Sequence, residues 1–220
     1  MYLILKRALD LVFSFIFILV LTPFLLPVIL VLKFTGEGYV FYFQKRIGLK
    51  RKEFNIIKFA TMLKNSPHIG SGDITLRNDP RLLPAGKFLR MTKINELPQL
   101  LNVFKGDMSL VGPRPLVAKT FNAYPENIQD CIYDSKPGIT GIGSIVFRDE
   151  EKLISSSAEP PHDYYKANIA PYKGALELWY LSNKSFLVDI IILFLTGWVI
   201  IFPHSKLMYK IFKTLPKRNF

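Results

Sequence analysis

Between Arg90 and Pro115 the chain sets two carboxylates, Glu96 and Asp107, among the bases Arg90, Lys93, Lys105 and Arg114. Ionised carboxylates are hard oxygen ligands suited to Mg2+, which binds through one or two such groups plus substrate phosphates. Arginine offers a planar fork that matches phosphate oxygens, a role that falls to Arg90 and Arg114. Gly112-Pro113-Arg114-Pro115 is a stiff turn that leaves Arg114 little backbone freedom to lose. Carboxylates, a divalent cation and arginines together point to phosphoryl transfer, where catalysis is mostly positioning and charge neutralisation. The plain alternative is an amphipathic helix, a turn and a strand with solvated charges. Leu97, Leu100, Leu101, Val103 and Phe104 do recur at roughly helical spacing, which buries one face. For any one residue the two readings balance; for a cluster this dense the chemical one prevails.

Several elements must position that cluster. Tyr39 to Lys58 reads as two short strands around a basic turn at Gly48, with charges suited to lipid headgroups. Ser66 to Asp79 is rich in Ser, Gly, Asp and His and is expected as a mobile loop over a site. Asp79-Pro80-Arg81 ends it and delivers a carboxylate and a guanidinium together. Downstream, Lys136 to Gly143 is turn-rich, and its glycines permit either close approach to a ligand or a plain loop between strands. Phe147 to Glu151 reads as a solvated helix start, with nucleotide or sugar selection as the other reading.

Ala8 to Leu32 is almost continuously apolar, and at about 1.5 Å per residue it can cross a hydrocarbon core of roughly 30 Å. It has no small-residue cleavage site. Pro23 and Pro27 interrupt its middle, and both flanks are basic: Lys6 and Arg7 before it, Lys33, Lys45, Arg46, Lys50, Arg51 and Lys52 after it. Both ends therefore prefer the cytoplasmic face, and a re-entrant helix–break–helix satisfies both. Asp10 is expected to pair with Lys6 or Arg7. Phe186 to Phe202 is a second apolar segment, marginal for a span at about 17 residues. Asp189, Trp198 and the basic tail suit a helix lying at the interface, with a transmembrane helix as the competitor.

The whole chain has 220 residues, a net charge of +12 and 50% hydrophobic residues. Nucleic-acid binders gain charge at the expense of apolar content, and no interleaved aromatic-glycine motif is present, so no nucleic-acid partner is expected. A chain both greasy and basic fits an anionic membrane or phosphorylated substrates. One cysteine, Cys131, allows no intramolecular disulfide and fits a reducing compartment.

The motifs resemble, in order and over nearly the whole chain, those of the bacterial sugar transferases, the monotopic polyprenyl-phosphate phosphoglycosyl transferases. The matching pieces include Lys6-Arg7 with Asp10, Thr22-Pro23 at the membrane break, Phe43 to Gly48, Lys58-Phe59 with Met62, and Asp79-Pro80-Arg81. Gly86 with Arg90, Glu96 to Leu100, Gly106 to Pro115, and Lys136 to Gly141 complete the series. The resemblance implies transfer of a sugar-1-phosphate from a UDP-sugar to a polyprenyl phosphate, with release of UMP. It implies Mg2+ as cofactor and a start to O-antigen, capsule or exopolysaccharide assembly on the cytoplasmic face of the bacterial inner membrane. The partners it implies are the UDP-sugar, the polyprenyl (undecaprenyl) phosphate and phospholipid, with room for a homodimer. Its phosphate-binding set extends to Arg81 and Lys58, and its metal set is Glu96 and Asp107.

The sequence departs from that pattern at one decisive position. Relatives carry an Asp-Glu dyad whose Asp forms a covalent phosphosugar intermediate, whereas this chain reads Asn95-Glu96. A carboxamide is a poor nucleophile and a weak metal ligand. Three readings follow: Glu96 attacks or the acceptor phosphate attacks directly; the chain is a catalytically impaired homologue serving as a scaffold or regulator; or the Asn is an engineered change. Ala60 stands where relatives commonly carry Arg. The retained Arg90, Asp107 and Arg114 favour a working transferase. The expected fold is a helix-rich α/β domain with a short β-hairpin, seated on a membrane. Its parts are a re-entrant hairpin over residues 1–36, a catalytic domain over 37–185, and an interfacial helix with basic tail over 186–220.

Overall fold

The computed structural model describes residues 1–69 and 79–219 and opens on α1 (Tyr2–Phe34), a helix of 33 residues. Pro23 and Pro27 lie inside it, and the helix continues through both. The break expected at Thr22-Pro23 thus does not interrupt the helix; the Thr22 hydroxyl bonds back to the Ile18 carbonyl at 2.6 Å. One narrow face organises α1. Lys6, Asp10, Ser14 and Leu32 are buried, and Leu9, Ile18, Leu21, Leu25, Val28 and Ile29 pack against the core between them. These positions recur every three or four residues, so a single stripe joins both ends of the helix to the globular body. The opposite side exposes Phe13, Phe15, Phe17, Phe24 and Phe34 among aliphatic neighbours.

β1 (Phe41–Ile47) and β2 (Glu53–Phe59) form the expected antiparallel hairpin, with Phe41 opposite Phe59 and Ile47 opposite Glu53. Ile56 and Phe59, on opposite faces of β2, enter the two hydrophobic clusters, while Phe43 and Lys45, on one face of β1, stay outside. α2 (Gly86–Met91) is followed by a 3-10 segment, Ile94–Gln99, that runs into α3 (Leu100–Lys105). Lys93 makes the corner at φ 61, a left-handed conformation that costs a side-chain-bearing residue on the order of 1–3 kcal/mol and persists where neighbours enforce it.

β3 (Ser109–Val111) lies parallel to β4 (Gly138–Thr140), reached through α4 (Ala118–Phe121) and α5 (Glu126–Cys131). The chain ends in α6 (Ile142–Val146), α7 (Glu150–Ser156), α8 (Pro161–Tyr164), a π-helical turn at Tyr165–Ile169, α9 (Ala170–Asn183), α10 (Phe186–Ile201) and α11 (Leu207–Ile211). The main core gathers Val103, Met108, Ile142, Leu176, Tyr180, Ile192 and Leu195. α10 is one-sided: Asp189, Ile192, Leu195 and Val199 are buried, while Leu187, Phe194, Ile200 and Ile201 are exposed. Its 16 residues reach about 24 Å, short of a hydrocarbon core of roughly 30 Å.

Candidate active site

The N-terminal helix is bolted to the strand that leads into the candidate site. Lys6 Nζ, inside the protein, donates to the Val111 carbonyl at 2.8 Å and to Asp189 Oδ2 at 2.7 Å. Tyr180 and Tyr2 hydroxyls also donate to Asp189, at 2.7 and 2.9 Å, so the buried carboxylate is fully engaged. Asp10 accepts from Ser109 Oγ at 3.0 Å and from the Leu110 N–H at 2.9 Å. This corrects the expectation that Asp10 pairs with Lys6 or Arg7. Arg7 donates to the Val103 and Phe104 carbonyls at 2.7 and 2.9 Å, groups left open at the end of α3.

Immediately after β3, the backbone from Gly112 to Leu116 is held almost atom by atom. Gly112 N–H donates to the Thr140 carbonyl at 2.9 Å, and Gly138 N–H to the Pro113 carbonyl at 2.8 Å. The Arg114 carbonyl accepts from the Tyr133 hydroxyl at 2.9 Å. Pro115 carbonyl takes Arg46 Nη1 at 3.2 Å, and Leu116 N–H goes to the Tyr133 hydroxyl at 2.9 Å. The two prolines have no N–H to satisfy. Gly112 and Gly138 meet so closely that a Cβ on either would lie 2.3 Å or less from the other strand's backbone. Gly138 and Gly141 therefore serve backbone-to-backbone packing, while Gly143 makes room for the Glu177 side chain.

This rigid loop presents Arg114 to Glu96. Arg114 Nη2 donates to Glu96 Oε1 at 2.9 Å, and Lys58 Nζ reaches the same oxygen at 3.3 Å from β2. Burial alone would raise the Glu96 carboxyl, but Arg114, Lys58 and Lys93 together hold it well below the usual carboxylate range. In return Glu96 raises the Arg114 guanidinium, which stays charged. Lys58 goes the other way: burial brings its ammonium down to about 7 against the attraction of Glu96, and Arg46, Arg114 and Arg90 push in the same direction. Burial also lowers Lys93. Glu96 thus stands among Arg114, Lys58 and Lys93, more cationic groups than it can neutralise, and the surplus calls for an anion.

The remaining expected site residues divide. Asn95 adjoins Glu96, is 5% exposed, and its Oδ1 is buried with no hydrogen-bond partner. Arg90 approaches the cluster but also holds Glu151 of α7 at 3.0 Å. Arg81 is buried, with Nε and Nη2 on Asp79 at 2.8 and 2.6 Å and Nη1 on the Ser66 and Ile69 carbonyls. Its donors serve the fold of its own segment. Asp107 is exposed and takes Asn102 Nδ2 at 3.4 Å, sharing no partner with Glu96. Residues 70–78 of the loop expected over the site lie outside the described residues. The acidic run near Phe147 is not simply solvated: Asp149 pairs with Arg218, Glu150 with Lys173, and Glu151 with Arg90.

Lys93 was counted among the bases without its left-handed turn, and Tyr133, which holds the Arg114 carbonyl and the Leu116 N–H, was not singled out at all.

Known proteins match this arrangement over most of its length. The undecaprenyl-phosphate galactose phosphotransferase of Salmonella typhimurium is 34% identical over 212 residues, covering 90% of this chain and 40% of that protein. An exopolysaccharide production protein, ExoY, of Sinorhizobium fredii is 30% identical over 205 residues, 87% of this chain and 83% of that protein. An uncharacterized sugar transferase of Haemophilus influenzae is 37% identical over 212 residues, 90% of this chain and 41% of that protein. The chain thus spans about two-fifths of the length of two of these relatives. The family model described as bacterial sugar transferase matches residues 1–203, and the chain belongs to that family.

Proposed function

We propose that this protein transfers a sugar-1-phosphate from a UDP-sugar to undecaprenyl phosphate, releasing UMP and opening cell-surface polysaccharide synthesis. The observation that carries the reading is the set of Arg114, Lys58 and Lys93 around Glu96, a match for the charge of a nucleoside diphosphate. The names of the relatives add support, among them phosphotransferases acting with undecaprenyl phosphate and galactose or glucose. A ligand-binding scaffold without turnover finds no support among them.

Mg2+ fits the donor set in part. Both cations bind Glu96 at Oε1, which leaves Oε2 without a protein hydrogen bond, and the neighbouring residue Asn95 has an unpartnered buried Oδ1. Glu96 would hold the ion with donor phosphate oxygens, and Asn95 would add a neutral oxygen. Asp107, exposed and with Asn102 Nδ2 at 3.4 Å, shares no partner with Glu96 and is left out of the proposed set. The ion would neutralise phosphate charge as the bond to UMP breaks. Arg114 and Lys58 orient the diphosphate, and the braced loop keeps Arg114 still as charge shifts.

The nucleophile in this proposal is the acceptor itself. Asn95 is an amide, and the depressed basicity of Glu96 makes it a weak attacker. An oxygen of the polyprenyl phosphate attacks the donor β-phosphorus, the bridging P–O bond to the α-phosphate breaks, and UMP departs with that oxygen. Membrane seating follows from α1. Its packed stripe ties both ends to one body, its other side is bare and apolar, and an exposed Lys33 stands in its last turn, while Lys6 and Arg7 are committed to the protein. These features support a helix dipping into the cytoplasmic leaflet of the inner membrane. The test is purified protein in lipid nanodiscs with a panel of UDP-sugars, Mg2+ and undecaprenyl phosphate. UMP release with one donor is the expected result; none with any donor, and none after Asn95→Asp, overturns the proposal.

A further inference from the structure

The first turns of α1 grip both walls of the Glu96–Arg114 site. Lys6 and Asp10 lie one turn apart on the buried face of the helix, with Arg7 beside Lys6. Asp10 accepts from Ser109 Oγ at 3.0 Å and from the Leu110 N–H at 2.9 Å, and Lys6 Nζ donates to the Val111 carbonyl at 2.8 Å. Every residue of β3 is therefore held from α1, and β3 ends three residues before Arg114. Arg7 takes the other wall. Its guanidinium caps the Val103 and Phe104 carbonyls at 2.7 and 2.9 Å, at the end of the helix that directly follows the Ile94–Gln99 segment and its Glu96. It also lies against the reversal that joins α3 to β3: Gly106 turns there at φ 100, and a Cβ on it would sit 3.3 Å from Arg7 Nη2. Charged groups are costly in so apolar a helix, and at the flank of a membrane segment they would rest on headgroups. These turn inward instead, and their bonds to backbone atoms fix where the two walls run.

We propose that Arg7 and Asp10 are positioning residues that hold the α3 and β3 walls at the spacing where Arg114 meets Glu96, so that the helix seating the chain on a membrane also sets the gap a nucleoside diphosphate enters. The inference rests on the reading of the Glu96–Arg114 cluster as a diphosphate site. Neither residue touches substrate. Asp10 acts through β3 on Arg114, and Arg7 acts through the end of α3 and the Gly106 reversal. A staple that served the fold alone would cost stability and leave the contacts of Arg114 with phosphate as they are.

The experiment compares the full chain in nanodiscs with Asp10→Leu, Asp10→Asn, Arg7→Met, Arg114→Ala and the double variants Asp10→Leu/Arg114→Ala and Arg7→Met/Arg114→Ala. UDP affinity with Mg2+ is measured by calorimetry, at a temperature where circular dichroism shows the variants folded. A misaimed guanidinium forfeits about one hydrogen bond to phosphate, so Asp10→Leu and Arg7→Met should each bind UDP about fivefold more weakly than the parent. Asp10→Asn keeps an acceptor oxygen for Ser109 and Leu110 and should restore parental affinity. Arg114→Ala should itself weaken UDP, after which neither Asp10→Leu nor Arg7→Met should weaken it further. If Asp10→Leu does not fold, the Arg7→Met pair of variants decides by the same comparison. Parental affinity in the single variants, a loss in Asp10→Asn equal to that in Asp10→Leu, or an undiminished loss on top of Arg114→Ala overturns the inference. Parental affinity in Arg114→Ala, or a parent protein that binds no UDP, overturns the site reading itself and the inference with it.

Discussion

Arg114 and Glu96 meet at 2.9 Å through a guanidinium that sits on a loop with its backbone groups already bonded. The pair joins two distant stretches of the cluster, and the geometry is set before any ligand arrives. Such preorganised donors account for a large share of the rate in phosphoryl and acyl transfer.

Replacing Arg114 by Lys keeps the charge and loses the fork. Since a lost preorganised donor typically costs about 10²-fold in kcat, Arg114→Lys should release UMP about a hundredfold more slowly while melting near the parent temperature. A variant of parental rate would show that the fork contacts no reacting group.

Lys58 makes donor binding pH-dependent in the free enzyme. Its ammonium is held near 7 by burial, so it loses its proton as pH rises through that value. One unit higher only about a tenth remains protonated, and KM for the UDP-sugar should rise about fivefold between pH 7 and 8. Lys58→Arg, charged throughout, should flatten that limb. A KM that rises equally in Lys58→Arg would assign the titration elsewhere.

Asn95 determines the kinetic order. With the acceptor phosphate as nucleophile, initial-rate plots against both substrates should intersect, and no UMP should appear before acceptor is added. Asn95→Asp should shift the pattern toward parallel lines with an acceptor-independent burst. A burst in the parent protein would place the attack on Glu96.

Lys6 and Asp189 couple α1 to α10 and to β3. Breaking a buried pair on one side costs about 3–5 kcal/mol, so Lys6→Met should lower the melting temperature in nanodiscs by about 10 °C. Lys6→Met/Asp189→Leu should recover most of it. Additive losses would mean that the two side chains act separately.

How much of this was written plainly in the residues depends on how local the cause was. The β1–β2 hairpin and its turn after Gly48 follow from alternation and turn chemistry within one stretch, and they appear where expected. Glu96, Arg114 and Lys58 were legible as chemistry, and the structure brings them together. Asp107 was not separable from Glu96 by spacing, because its partner, Asn102, is chosen by the reversal after α3. Lys6 and Arg7 read as flanking charges of a membrane segment, yet both are spent on carbonyls and a carboxylate far along the chain.

The central claim is that the sugar moves together with its phosphate. A UDP-sugar carrying radioactive phosphorus at the β-position, incubated with the nanodisc-embedded protein, Mg2+ and undecaprenyl phosphate, tests it in one extraction. The account predicts label in the lipid fraction and unlabelled UMP in the aqueous phase. Label retained in aqueous UDP, with sugar alone on the lipid, would contradict it.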